Sequence, residues 1–291
     1  MITSDSLKDY TLLDAGDKEK IENWKGIILR RPDPMAIWPK TKPEIWDNWD
    51  GYYNRSKTGG GSWQFKNKLP ESWNINYKEL TFKVSPTNFK HTGLFPEQAS
   101  NWDLIYKLIN GKNDIKVLNL FGYTGAASMV ASYAGASEVV HLDASKGINE
   151  WAKENMHLCN LNNKTIRFIV DDALKFTSRE IRRNRKYDGI IMDPPSYGRG
   201  PDNELFKFED KINPLITNCL ELLSDKPLFF IINTYTTGYS AITMYNILKR
   251  HLDIKGLKGK IEVDEIGIKI NNSEYTLPCG QTSRFINESN I

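Results

Sequence analysis

Very little in this sequence is extreme. It has only three cysteines, Cys159, Cys219 and Cys279. An odd and widely spaced set supplies neither a disulfide framework nor a C-x-x-C metal pair, so stapled secreted scaffolds and zinc ribbons are excluded. Small buried thiols in a reducing cytoplasm are the expectation. No run approaches about 18 uninterrupted apolar residues, so no transmembrane helix and no membrane partner are expected. Residues 1–10 are polar and acidic, without the basic-then-apolar order of a secretory signal. Repeats and low-complexity tracts are absent too, as is a strong charge imbalance. The 39 Lys and Arg face 36 Asp and Glu, a net of +3, too small to announce a nucleic-acid binder. No metal site is expected either.

What is present is ordinary for a globular chain, with 40% apolar and 26% charged residues. At about 150 residues per domain, 291 residues suggest two. Six of the eight tryptophans (Trp24, Trp38, Trp46, Trp49, Trp63, Trp73) precede residue 75. Proline and glycine crowd the same stretch, in Arg31-Pro32-Asp33-Pro34 and Thr58-Gly59-Gly60-Gly61. Helical periodicity is missing from 27 to 90, while 26–29 and 80–84 read as strands. Residues 1–90 are therefore expected to form a small β-rich domain. Beyond it, strands over 115–120, 138–142, 166–170, 189–192 and 227–232 alternate with helices over 97–110, 126–133, 147–158, 173–183, 205–223 and 240–251. Segments 261–268 and 275–285 read as a closing antiparallel hairpin. Such alternation predicts an α/β domain over 91–291, with a parallel sheet covered on both faces.

Four successive strand ends carry polar signals in register. The first strand runs into Phe121-Gly122-Tyr123-Thr124-Gly125, glycines at a helix start. These admit either a close-lying ligand, with an anion at the helix N-terminus, or tight packing alone. The second ends in Asp143, 21 residues after Gly122. That acid either holds ribose hydroxyls or caps the next helix. The third ends in Asp171-Asp172-Ala173, where one acid can reach an adenine amine and the other cap a helix. The fourth ends in Asp193-Pro194-Pro195-Ser196-Tyr197. Two prolines there fix an extended backbone and turn the acid and the carbonyls toward the ligand crevice. A nicotinamide enzyme would carry G-x-G-x-x-G, but Ser128 follows Gly122 and Gly125 at that spacing. It also has no reason to carry Asp-Pro-Pro.

Together these motifs resemble those of class I S-adenosylmethionine (SAM)-dependent methyltransferases. More closely, they look like the bacterial large-subunit ribosomal RNA methyltransferase-like group. His91 to Gln98 is similar to that group's pre-motif segment, and Arg30 to Pro34 and Leu277 to Gly280 to the flanks of one branch. The resemblance spans most of 12–285. It implies a Rossmann-like fold with a mostly parallel seven-stranded sheet, SAM as cofactor and ribosomal RNA as acceptor. It places Thr92, Gly93 and Gln98 at the methionine end. Phe121, Gly122 and Thr124 come beneath the carboxylate and sulfur, Asp143 at the ribose, and Asp172 and Ala173 beside adenine, with Asn119 and Ala144 also expected to bind the cofactor. Asp193 and Pro194 face the methyl group. Tyr197 either stacks on a target base or is a buried core residue.

Departures from the group narrow the chemistry. Its cytosine-C5 members place a nucleophilic cysteine after the fifth strand, where this chain reads Ile232-Asn233-Thr234-Tyr235-Thr236-Thr237-Gly238. Covalent catalysis through cysteine is not expected. Ser196 also breaks the Asp-Pro-Pro-Tyr form of exocyclic-amine enzymes. Direct transfer to a nucleophile such as a ring nitrogen remains. The basic run Arg179, Arg182, Arg183, Arg185 and Lys186 is either an RNA contact or a solvated helix face. The early tryptophans are either stacking platforms or core, and the Lys57 to Gly61 loop is a further RNA candidate. Residues 1–90 hold 15 basic against 12 acidic side chains, and the remainder 24 against 24. The expectation is a cytoplasmic methyltransferase of ribosomal RNA. The alternatives are a protein or small-molecule methyltransferase, or a SAM-binding RNA-associated protein without turnover.

Overall fold

The computed structural model describes residues 1–56, 60–87 and 90–290, the side chain of Asn290 excepted. Two compact units emerge. One comprises Met1–Ser100 with Ile266–Cys279, the other Asn101–Glu265 with Gly280–Ile291. The division differs from the expected 1–90 and 91–291. Backbone bridges from Ile2 to Ile266 and from Leu12 to Ile270 attach a late segment to the first unit. No local pattern in a sequence announces a pairing of that range.

In the first unit, β1 (Tyr10–Gly16), β2 (Glu19–Trp24), β3 (Ile27–Pro32), β4 (Gly51–Arg55) and β5 (Gly61–Phe65) form a sheet in that order. All neighbours are antiparallel except β3 and β4. The first two hairpins turn through Asp17-Lys18 and Lys25-Gly26, all four at positive φ. That is the I′ geometry which matches strand twist. A ribbon follows, β6 (Trp73–Tyr77) and β7 (Leu80–Val84). In β7, Leu80, Phe82 and Val84 are buried and alternate with Thr81 and Lys83, as a half-buried strand requires. Trp24 and Trp46 are core residues, and the other early tryptophans are half-buried. Among the buried polar groups, Glu22 accepts from Arg31 Nε (2.7 Å) and Nη2 (2.8 Å) and from Tyr10 Oη (2.7 Å). Despite burial, the Arg31 and Lys20 charges hold its carboxyl at about 2.

The second unit is doubly wound. Its strands are β8 (Lys116–Leu120), β9 (Glu138–Asp143), β10 (Ile166–Val170), β11 (Gly189–Met192) and β14 (Phe229–Thr234), with β15 (Gly259–Lys269) and β16 (Thr276–Asn287) except for their 266–269 and 276–279 ends, which belong to the first unit. The order is β10-β9-β8-β11-β14-β16-β15. The first five run parallel, and β16 is antiparallel to β14. All residues of β11 and β14 are buried, as continuous apolar runs must be in a sheet covered on both faces. The helices are α1 (Ala99–Ile109), α2 (Ala126–Tyr133), α3 (Lys146–Leu158), α4 (Ala173–Arg182), α5 (Phe208–Leu222) and α6 (Ala241–Lys255). The helix expected over 205–223 begins only at Phe208. Before it, β12 (Tyr197–Arg199) and β13 (Leu205–Lys207) pair as a short hairpin, and Phe208 N donates to Ser196 O (3.1 Å). Chain order reverses between β8 and β11, so their carboxyl ends flank the switch point where ligands bind in open α/β sheets.

Candidate active site

The loop joining β8 to α2 has an unusual backbone. Phe121 (φ 57°), Tyr123 (φ 51°) and Gly125 (φ 89°) are all left-handed. Each non-glycine residue there costs about 1–3 kcal/mol, a strain that concentrates at functional sites. Alternating handedness also turns successive amides into one concavity, a cradle for an anion. Gly125 caps α2 without a side-chain acceptor, so the first-turn amides of α2 and its positive dipole end stay available.

Gly122 has a different reason to be glycine. A Cβ there would come within 2.3 Å of His141 Cε1. The side chain it makes room for is His141 from below, not a ligand from above. His141 is fully buried in β9, its Nδ1 2.9 Å from Ser128 Oγ, which accepts from Asn119 Nδ2 (2.9 Å). Which of Ser128 Oγ and His141 Nδ1 donates depends on the tautomer of the ring. Burial pushes the imidazole down to about 4, so it is neutral. From the other side, Asn155 Nδ2 holds Thr124 O (2.8 Å). Asn119 thus spends its amide on α2, as part of the support beneath the loop. Sequence reasoning missed His141, Ser128 and Asn155. The only signal was a histidine in an apolar strand and an asparagine inside a helix.

Asp143 ends β9 and faces the same loop. Its Oδ2 accepts from Tyr123 N (3.0 Å) and its Oδ1 from Ser145 N (2.9 Å). The cap of α3 is Ser145, not Asp143, so the capping alternative falls away. Burial raises the Asp143 carboxyl, and the two amides partly oppose that. Two lone-pair positions remain, enough for a pair of vicinal hydroxyls. Ala144 is half-buried between these two. At the third strand end, Asp172 caps α4 through Lys175 N (2.9 Å), while Asp171 accepts from Asp172 N and pairs with Arg179. Ala173 is buried behind them.

At the fourth, Asp193 N donates to Leu120 O (3.3 Å), joining the ends of β8 and β11. Pro194 is buried and Pro195 exposed. Ser196 Oγ accepts from Thr236 Oγ1 (2.9 Å), which ties this loop to the one after β14. Tyr197 is 56% exposed, so it is not a core residue. Thr92, Gly93 and Gln98 belong to the first unit. There Thr92 is fully buried, and its Oγ1 has no hydrogen-bond partner among the described residues. Gly93 has φ 100°, and Gln98 closes a 3-10 turn, Pro96–Gln98.

None of the cysteines joins the strand ends. Cys159 follows the last residue of α3, one position beyond the expected helix, and Cys219 is inside α5. Burial pushes the thiols of Cys219 and Cys279 up, so neither is a poised thiolate. Four of the five members of the basic run before β11 have partners, and Arg182 is exposed. Arg179 meets Asp171, Arg183 meets Glu180 (3.0 Å), Arg185 meets Glu138 (2.6 Å), and Lys186 Nζ donates to Glu221 O (2.6 Å). No helix among the described residues is long and apolar enough to cross a membrane.

Residues 53–227, more than half of the chain, match the family described as S-adenosylmethionine-dependent methyltransferase. The chain belongs to that family. A crystal structure of the SAM-dependent methyltransferase from Agrobacterium tumefaciens is similar throughout, with 34% identity and a TM-score of 0.93 over 98% of this chain and 92% of that one. A methyltransferase from Streptococcus mutans, 19% identical, shares the fold with a TM-score of 0.74 over 97% of this chain and 76% of its own. Among curated relatives, the ribosomal RNA large subunit methyltransferase K/L of Colwellia psychrerythraea is 30% identical over 176 residues, 60% of this chain and 24% of the relative. That of Shewanella oneidensis is 39% identical over 116 residues, 40% of this chain and 16% of the relative. The chain thus spans a quarter or less of these relatives' length. This methyltransferase has the Rossmann-like fold with a β-rich N-terminal part, and SAM is its cofactor. The left-handed loop, the open α2 amides and Asp143 suit a ligand that carries both a carboxylate and a ribose.

Proposed function

We propose that this methyltransferase acts on ribosomal RNA in the cytoplasm, by direct transfer without a cysteine nucleophile. The observation that carries the reading is the meeting of the Asp143 loop and the Asp193-Pro194 corner at one switch point, with no thiol at either. The name of the K/L relatives supports the choice of acceptor.

SAM supplies a methyl carbon on a sulfonium leaving group. The protein's task is then largely orientation, which alone can lower a barrier by about 7–11 kcal/mol. Phe121, Gly122 and Thr124 lie under the carboxylate and sulfur, in the cradle that the α2 N-terminus completes. Asp143 and Ala144 take the ribose, and Asp172 and Ala173 flank adenine. Thr92, Gly93 and Gln98 are assigned to the methionine end by the resemblance of their segment. Asp193 accepts a hydrogen bond or a proton from the acceptor, and the fixed backbone of Pro194 aims it. Tyr197, exposed at 56%, offers a ring on which an unpaired base can stack.

The test is tritiated methyl transfer from SAM to RNA of cells lacking the protein, followed by nucleoside mass spectrometry. A single methylated nucleoside in large-subunit ribosomal RNA is expected. Label confined to protein or small molecules, or SAM binding with no label transferred, refutes the reading.

A further inference from the structure

Residues 51–70 contain Arg55, Lys57, Lys66 and Lys68 and not one Asp or Glu. This stretch of +4 more than accounts for the net charge of +3 of the whole chain. It also holds Tyr52, Tyr53, Trp63 and Phe65. In the structure 51–55 and 61–65 are the paired strands β4 and β5, with β5 at the edge of its sheet, while residues 57–59 of the expected RNA loop lie outside the described residues. Of the five residues of β5, all but Trp63 are exposed.

Register decides what shares a face. Gly51 pairs with Phe65 and Tyr53 with Trp63, so Trp63, Phe65 and Arg55 project to one side. The Trp63 and Phe65 rings are parallel, at 5° with centroids 5.9 Å apart. Their support is rigid. Trp63 Nε1 donates to Thr87 O (2.8 Å), and Tyr53 packs edge-on to Trp63 at 5.4 Å. Phe65 lies over the bare Cα of Gly51 and stays 45% exposed. On the other side, the Lys66 ammonium sits 4.5 Å from the Trp49 ring centre. Lys68 and Arg55 are exposed.

Edge strands commonly carry lysine to prevent association with other chains. That accounts for the cations. It does not account for a parallel aromatic pair in their midst, whose Phe65 is exposed and by itself invites association. Flat aromatic rings beside cations are the chemistry of single-stranded nucleic acid. In the cluster before β11, Arg179, Arg183 and Arg185 are ion-paired.

We propose that the β4–β5 hairpin is the surface that holds the RNA, as an unpaired segment. Bases stack on Trp63 and Phe65, and Arg55, Lys66 and Lys68 meet the phosphates. This rests on the RNA reading above and adds the place and the strandedness of the contact.

The experiment measures binding of a short fluorescein-labelled unstructured RNA to the full chain across a salt series, beside calorimetric SAM binding. Phe65→Ala is expected to weaken RNA binding at least about fivefold and leave the salt slope unchanged. Arg55→Glu with Lys68→Glu is expected to flatten the slope by about 1.4, two phosphates at ~0.7 each. SAM affinity stays constant in both variants, which shows that they fold. A duplex of the same sequence binds more weakly than the single strand. If wild type binds and methylates RNA while all three substitutions leave affinity and slope unchanged, the hairpin assignment is overturned and the RNA reading stands. Tighter binding of the duplex also overturns it. If wild type binds no RNA, or if the variants lose methyl transfer to a protein instead, both readings fall.

Discussion

At the residue scale, the contact between Gly122 and His141 carries the sharpest expectation. A methyl group on Gly122 has nowhere to go, because a Cβ there would be 2.3 Å from the imidazole. Gly122→Ala should destabilise by about 1–3 kcal/mol, the usual range for overpacking, and should weaken SAM binding by displacing the loop. His141→Ala in the same chain opens the space, so the double variant should lose less than the sum of the single ones. Urea unfolding of the four proteins measures that coupling. Additive losses would show that the ring does not support the loop. Asp143 makes a second case. Asp143→Asn should bind SAM more weakly, because a neutral amide is a poorer acceptor for two hydroxyls. Burial raises the Asp143 carboxyl. Wild-type affinity should therefore fall on acidification from above the ordinary carboxylate range, a limb that calorimetry on the Asn variant should not show. Asp143 was legible in the sequence because its spacing from Gly122 has a mechanism. His141 was not, because a lone histidine in an apolar strand says nothing about the glycine it lies under.

At the element scale, what the sequence told depended on the range of the contacts. Strands 166–170 and 189–192 agree residue for residue with β10 and β11, since a short apolar run marks a parallel strand whether it lies half-buried at the edge, as β10 does, or buried inside, as β11 does. The helix expected from 205 failed because β12 and β13 are three residues each, too short for any period to show. The tip of the final hairpin went unassigned to the first unit because its partners are about 260 residues away. The third strand end shows how an ambiguous motif separates into roles. Asp172 caps α4 through Lys175 N, and Asn caps a helix about as well as Asp. Asp172→Ala should cost about 1 kcal/mol of stability, and Asp172→Asn only a few tenths. If the carboxylate also meets adenine, both substitutions should lower SAM affinity. Unchanged affinity in Asp172→Asn would confine this residue to capping and leave the adenine contact to Asp171.

At the scale of the whole molecule, acid should act on both units, because burial brings His91 of the first as well as His141 of the second down to about 4. His141, in the second unit, falls from 6.5 to about 4 on burial. Its folded pKa lies below its unfolded one, so the unfolded chain takes up the proton first. The stability tied to the neutral ring is complete above pH 6.5 and is lost as pH falls toward 4. At about 1.4 kcal/mol per unit, that is about 3 kcal/mol. Glu22, in the first unit, drops from 4.5 to about 2. The same sign applies over a lower window, so its contribution survives to about pH 4.5 and disappears only toward pH 2. Two optical signals separate the units. Six of the eight tryptophans precede residue 75 and report the first, whereas helices α2 to α6 lie entirely within the second. On acid titration, helical circular dichroism and tryptophan emission should both begin to change below pH 6.5, through His141 and His91 respectively. Glu22→Gln should move the emission change to higher pH without moving the circular dichroism change, because a broken buried pair leaves Arg31 uncompensated. An equal shift of both signals in Glu22→Gln would mean that the chain unfolds as one cooperative body.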